Sequence, residues 1–492
     1  MKFHEYVKFD ARGLADLVAH GEVTIAELLD LATARADAIN PQINALVRRF
    51  DARAKAQLSG RLLGPFAGVP FLLKDLMADY AGEVTSSGSA LFADYVPQQD
   101  SELVRRYKAA GLVIFGKTNT PELGLTPFTE PRLFGPARNP WNLAHTPGGS
   151  SGGSGAAIAA GIVPMANGGD GGGSIRIPAS CNGLVGYKPS RGLIPHGPNR
   201  GDSWWGYATE HVLSRSVRDS AAALDATAGA DAGCPYATTI SPTLASLNEA
   251  PQRLRIAFTA EPMTGVHMHA DCRTGLAATV QRLQDLGHEL VETAPRIDRE
   301  AFIQSFVTML TGETAAALQT GAKAMGRAVD LSKVEPGTRA LARLGRAIRA
   351  EEASLTRLHL GKVTRDIGHW FQDYDILLTP TLGMPPFRIG ALQPSMSEQV
   401  QLALLNGLPI ASLIKSGKLL LQTAAKTFEW MPNTPVFNVT GQPSISLPLH
   451  WNADGLPIGM MLSARLGDDA RLLRLAAQIE QAYPWFDRRP AI

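Results

Sequence analysis

The chain has 492 residues, 45% of them apolar and only 19% charged, a balance that builds a large core and excludes a disordered or coiled-coil protein. Lys plus Arg total 47 against 45 for Asp plus Glu, a net charge of +2, so nothing marks nucleic acid or an anionic membrane as a partner. Three cysteines, Cys181, Cys234 and Cys272, make neither a disulfide framework nor a C-x-x-C pair.

The first ten residues carry Lys2, Glu5, Lys8 and Asp10 without an apolar segment, which argues against a signal peptide. No uninterrupted apolar run of about 18 residues occurs, so a soluble, cytoplasmic protein is expected. Residues 1–60 read as helical. Thr24 to Glu27 has the form of a capping box. Ile25, Leu28, Leu29, Ala32, Ala36 and Ile39 then keep one face apolar, and Asn40-Pro41 is expected to end that helix. Val69 to Leu73 is strand-like and delivers Lys74-Asp75 at its end. A helix over 102–110 leads to a buried strand at 112–115. Residues 254–259, 271–287 and 288–293 read as a β-α-β unit. Further strands are expected at 376–378, 444–447 and 458–462, and a closing helix at 471–482. Strands alternating with helices predict an α/β fold, one large domain over 1–492 with a central mixed sheet covered by helices on both faces. The catalytic core is placed at 61–200. The apolar, helical pattern of 395–433 is read as a substrate-pocket wall or lid, or as an ordinary packed layer.

Glycine is the outlier: of 48, eleven fall between Gly148 and Gly173. Three motifs compete for a function. Gly111 to Thr118 satisfies the P-loop pattern, but its middle is four strand formers and Pro121 follows where a helix should begin. Gly148-Gly149-Ser150-Ser151-Gly152 fits a nucleophile elbow with Ser150 as nucleophile, yet a turn-rich approach precedes it rather than a buried strand. Apart from these three, His267, His269 and Asp271 could ligate a metal, although surface residues with a helix cap account for them as well.

The third motif is longer. Gly148 to Gly155 leads through the small-residue run 156–160 to Gly168-Gly169-Asp170-Gly171-Gly172-Gly173-Ser174-Ile175-Arg176. Two Gly/Ser loops joined by a small-residue helix can bring Ser150 and Ser174 together. The bare backbone before Ser174 can turn several N–H groups to one point, as acyl transfer requires. A Gly-rich turn pair or a phosphate nest fits the same residues.

With these motifs in view, the chain resembles the amidase signature family of serine amidohydrolases. The resemblance rests on Phe66-Ala67-Gly68-Val69-Pro70 leading to Lys74-Asp75, on 116–122, on both Gly/Ser loops, on Leu377 to Thr381, on Phe437 to Pro443 and on Gly455 to Gly459. The step from Ser150 to Ser174 has the family's spacing. The resemblance implies Ser174 as nucleophile, Ser150 as a bridging serine on a cis peptide, and Lys74 as base. It implies an oxyanion hole made by N–H groups of Gly171, Gly172, Gly173 and Ser174, with Asp170, Arg176 and Ser151 in support. Gly171 departs from the commoner Thr or Ile, which is expected to loosen the loop. Burial would disfavour the charged form of Lys74 and fit it to act as base; a strand-end lysine reaching solvent beside Asp75 is the alternative.

Within the family, the spacing from Lys74 to Ser174 and the ending Pro484 to Pro490 are similar to the 6-aminohexanoate cyclic-dimer hydrolase group, which acts on nylon-type oligoamides. Wider relatives cleave aryl acylamides and carbamates (urethanes). The implied activity is hydrolysis of a small, largely apolar linear or cyclic amide through an acyl-enzyme, with carbamate cleavage as the alternative. No metal or other cofactor is expected. Relatives imply a homodimer, with no nucleic acid or membrane partner. An amidotransferase A subunit and a non-catalytic binding protein are the competing classes. The absence of a basic bias weighs against the first, and the intact Lys74, Ser150 and Ser174 against the second.

Overall fold

This computed structural model describes residues 1–238, 241–249, 251–393 and 417–492, and among them eleven strands join in one sheet. In chain order they are β1 (Leu46–Arg49), β2 (Pro70–Lys74), β3 (Val113–Thr118), β4 (Met165–Asp170), β5 (Val185–Lys188), β6 (Thr209–Ser214), β7 (Arg255–Phe258), β8 (Glu289–Glu292), β9 (Ile376–Pro380), β10 (Ser444–Trp451) and β11 (Pro457–Ala464). Their order in space is β1-β3-β2-β4-β6-β5-β10-β11-β9-β7-β8. β2 is parallel to β3 and β4, and β7 is parallel to β8 and β9. The remaining neighbours are antiparallel, so the sheet is mixed, as expected.

Side chains alternate across the pleat, and both faces are covered. Phe71, Leu73, Ile114, Met165 and Val212 join one apolar cluster, with Val217, Leu224, Leu472 and Ile479 of flanking helices. Leu72, Val113, Phe115, Ala166 and Leu213 join another, with Leu29, Ala32, Ala36 and Ile39 of the helix Ile25–Ile43 and Ala156 and Ala157 of the helix Gly152–Ala159. The face of Leu72 is therefore the face of Lys74, two residues on. That face looks toward the small-residue helix that begins beside Ser150.

The structure corrects the sequence reading at several points. The helix after Thr24 runs through Pro41 to Ile43 and ends at Asn44 in the left-handed region. Asn40 there ties its amide to both main-chain groups of Leu46 instead of stopping the helix. The glycines at 168 and 169 lie in strand β4 rather than in a loop; antiparallel pairing with His211 and Glu210 of β6 overrides their poor strand propensity. The P-loop pattern ends in strand β3, where the buried Lys117 amine donates to the Ala78 carbonyl and the Thr85 hydroxyl. His269 caps the helix Ala270–Asp285, its Nδ1 accepting from the Asp271 N–H. Of the segment 395–433, residues 395–416 lie outside the described residues; a helix spans Gly417–Trp430. No helix among the described residues is long and apolar enough to cross a membrane.

Candidate active site

Lys74 ends β2 at the carboxyl edge of the parallel strands, where open α/β sheets place their ligand sites. Its side chain is 1% exposed and does not reach solvent. The amine Nζ donates to Ser150 Oγ at 2.6 Å and to the Gly169 carbonyl at 3.4 Å. Asp75 turns away and accepts from the Ser86 N–H and hydroxyl. Burial brings the Lys74 amine down from 10.5 to about 7, against the opposing pull of Glu210 and Asp170. At neutral pH much of it is uncharged and able to accept a proton.

Ser150 follows a cis peptide from Gly149. A side chain on Gly149 would place its Cβ 2.7 Å from the Phe128 main chain, so only glycine allows that approach. Ser151 secures the neighbouring strand end. Its N–H donates to the Ser174 carbonyl at 3.2 Å, and its hydroxyl bonds the Gly169 carbonyl and N–H.

Ser174 stands just beyond β4 and lines the same cavity as Lys74 and Ser150. Its hydroxyl has no hydrogen-bond partner among the described residues. The loop that carries it is held from beneath by Asp170, which accepts from the N–H groups of Gly173 (2.7 Å), Ile175 (3.2 Å) and Arg176 (3.4 Å). The N–H of Gly173 is thus engaged by Asp170. Gly171, Gly172 and Ser174 keep N–H groups without a partner among the described residues. Arg176 answers Asp170 with two hydrogen bonds, at 2.9 and 2.8 Å, both side chains wholly buried. Burial alone would raise the Asp170 carboxyl, but the Arg176 guanidinium and the Asn438 amide hold it well below the usual range.

Sequence reading missed three members of this neighbourhood. Asn438 donates to the Asp170 carboxylate and carbonyl and accepts from Arg176 at 2.6 Å, closing the buried network. It lies within the run Phe437 to Pro443, one of the segments that carry the family resemblance. Glu210 of β6 is 3% exposed and shares the cavity wall with Lys74, though the two form no direct ion pair. Burial pushes its carboxyl up to about 7. Trp204 lies against the Ser174 loop, and nothing local marks it.

A family model described as amidase matches residues 27–473. The chain is 37% identical to a 6-aminohexanoate-cyclic-dimer hydrolase of Paenarthrobacter ureafaciens, over 98% of this chain and 96% of that one. A solved structure of 6-aminohexanoate cyclic dimer hydrolase complexed with substrate superposes with a TM-score of 0.90 at 33% identity, covering 99% of each chain. A bacterial aryl acylamidase shares the fold, with a TM-score of 0.84 at 24% identity over 97% of this chain and 96% of that one. With the sheet, the Gly/Ser loops and the buried amine all in place, the chain belongs to the amidase signature family and is an amide hydrolase acting on C–N bonds.

Proposed function

We propose that the chain cleaves small, largely apolar linear or cyclic amides of the nylon-oligomer type through a Ser174 acyl-enzyme, with Ser150 as relay and Lys74 as base. The observation that carries this is the buried Lys74 amine, near neutrality, held 2.6 Å from the Ser150 hydroxyl at the wall of the cavity that Ser174 lines. Ser174 Oγ attacks the carbonyl carbon while its proton passes to Ser150 and the Ser150 proton to Lys74 Nζ. The carbonyl oxygen, now negative, takes the N–H groups of Gly171, Gly172 and Ser174, which are worth a few kcal/mol each in such a role, about 10²–10³ in rate. Lys74 returns the proton through Ser150 to the leaving nitrogen, and the C–N bond breaks. Water then attacks the Ser174 ester by the same relay, releasing the acid and restoring all three side chains.

The substrate class rests on the relatives, named for a cyclic amide dimer, and on an apolar cavity beside Ser174 lined by Phe128, Phe306 and Phe428. Ala424, Thr427, Phe428 and Met431, the described end of the 395–433 segment, form part of that wall. The test is a hydrolysis screen against 4-nitroanilides, cyclic and linear nylon-type oligoamides and small carbamates, with peptide mapping after fluorophosphonate labelling. Label on Ser174 with oligoamide turnover supports the reading. Label on Ser150 reassigns the nucleophile, and turnover of carbamates alone reassigns the substrate.

A further inference from the structure

Two cavities of different character meet at Ser174. One, of about 560 Å³, is the more polar: Lys74, Ser150, Asp79, Arg200, Asp202 and Glu210 stand in its wall among apolar residues such as Leu76 and Phe92. The other, of about 280 Å³, is apolar, with Leu125, Phe128, Phe306, Leu310, Phe428 and Met431. Both are lined by Ser174, Gly124 and Trp204. Trp204 is the one bulky residue of those three.

The indole packs against the Ser174 loop. A Cβ on Gly171 would sit 2.8 Å from ring atoms Cε3 and Cζ3 of Trp204. The space that a side chain at 171 would fill is therefore occupied, and the loop is braced there rather than loosened. On the next residue, a Cβ at Gly172 would meet Phe306 Cζ at 3.5 Å. The aromatic rings of 204 and 306 thus stand over the two glycines proposed to bind the oxyanion. Trp204 is held firmly. It and Trp205 have φ of 52° and 56°, the left-handed region that aromatic residues rarely enter. The Tyr207 N–H donates to the Trp204 carbonyl at 2.9 Å, and the half-buried Glu313 carboxyl faces the Trp204 main-chain N–H and the Trp205 ring. Such a conformation persists where its surroundings over-determine it, and it clusters at ligand sites.

Resting on the reading of Ser174 as nucleophile, we propose that Trp204 is a specificity-determining wall: it directs the acyl half of an amide into the apolar cavity and the amine half into the polar one, and bare main chain at Gly171 is what admits it. The direction follows from the proton path. The leaving nitrogen takes its proton from Ser150, and Ser150 lines only the polar cavity. The substrate class is narrowed accordingly, to amides with an apolar acyl chain and a polar or hydrogen-bonding amine.

The test uses the purified full chain and a series of alkyl fluorophosphonates, ethyl to dodecyl. Each forms an Oγ–P bond on Ser174 and releases fluoride, so no natural substrate is needed. In the wild type, the labelling rate should rise with chain length until the apolar cavity is full and then fall. Trp204→Ala should abolish the fall, favouring the longest chains by about ten-fold or more, the scale of a hydrophobic-pocket change. Gly171→Ala should slow labelling by about ten-fold, because its Cβ overpacks against the indole, and Gly171→Ala with Trp204→Ala should recover it. Trp204→Phe keeps part of the wall and should keep part of the fall; it serves where Trp204→Ala fails to fold by thermal melting. An unchanged chain-length profile in both Trp204 variants overturns the wall, as does a slow double variant no faster than Gly171→Ala alone. Failure of the wild type to label at Ser174 overturns the nucleophile assignment instead.

Discussion

Replacing Lys74 by Met separates what the amine does for catalysis from what it does to stability. Burial brings the amine from 10.5 to about 7, a drop that corresponds to roughly 5 kcal/mol at ~1.4 kcal/mol per pH unit. The side chain is 1% exposed, so solvent screening takes little from that figure. The unfolded chain keeps the proton to about pH 10.4, whereas the folded chain gives it up near 7. Between those values the unfolded state binds more protons, and stability rises with pH. The penalty is full below about pH 7 and gone above about 10.5. Methionine removes the penalty but leaves Ser150 Oγ and the Gly169 carbonyl without the amine, a loss of about 1–3 kcal/mol. The variant should therefore be inactive, about 2–4 kcal/mol more stable than wild type at pH 7, and about 1–3 kcal/mol less stable at pH 10.5. Guanidinium unfolding followed by tryptophan fluorescence, run on both proteins at the two pH values, reads the difference directly. A variant that is less stable by the same amount at both pH values would refute the reasoning, because the amine would then carry its charge in the folded protein without strain.

The remaining expectations concern the same network. kcat/KM should fall below about pH 7, since the base must be uncharged, and Glu210→Gln should move that limb to lower pH by removing a carboxylate that favours the charged amine; a pH–rate profile in which the limb moves upward contradicts the arrangement. Ser174→Ala should lose hydrolysis while keeping the wild-type melting temperature, because its hydroxyl bonds nothing among the described residues; retention of most activity rules out the acyl-enzyme. Arg176→Met strands the Asp170 carboxylate inside the core and should lower stability by about 3–5 kcal/mol, with a visible drop in melting temperature. An unshifted melt would mean that the pair does not brace the Ser174 loop.

Much of this protein is written locally. The capping box at Thr24, the strand that delivers Lys74, the β-α-β unit around 254–293 and the closing helix are all set by near neighbours, through periodicity and capping, and they appear within a few residues of expectation. The pairing of Ser150 with Ser174 came instead from the family resemblance, since the Gly/Ser loops alone fit a turn pair or a phosphate nest as well. What only the tertiary structure decided depends on contacts distant in sequence. β4 and β6 are strands because each pairs with the other, despite Gly168, Gly169, Glu210 and His211. The Gly173 N–H is taken by Asp170, and Asp170 is itself fixed by Arg176 and by Asn438, 268 residues away. Lys74 is a candidate base rather than a solvated charge because the packed sheet leaves its side chain only 1% exposed. Trp204 faces Gly171 only after β6 has been laid beside β4. Local sequence determines which groups the chain carries and on what element; burial and long-range pairing determine which of them meet, and so what their protons and charges can do.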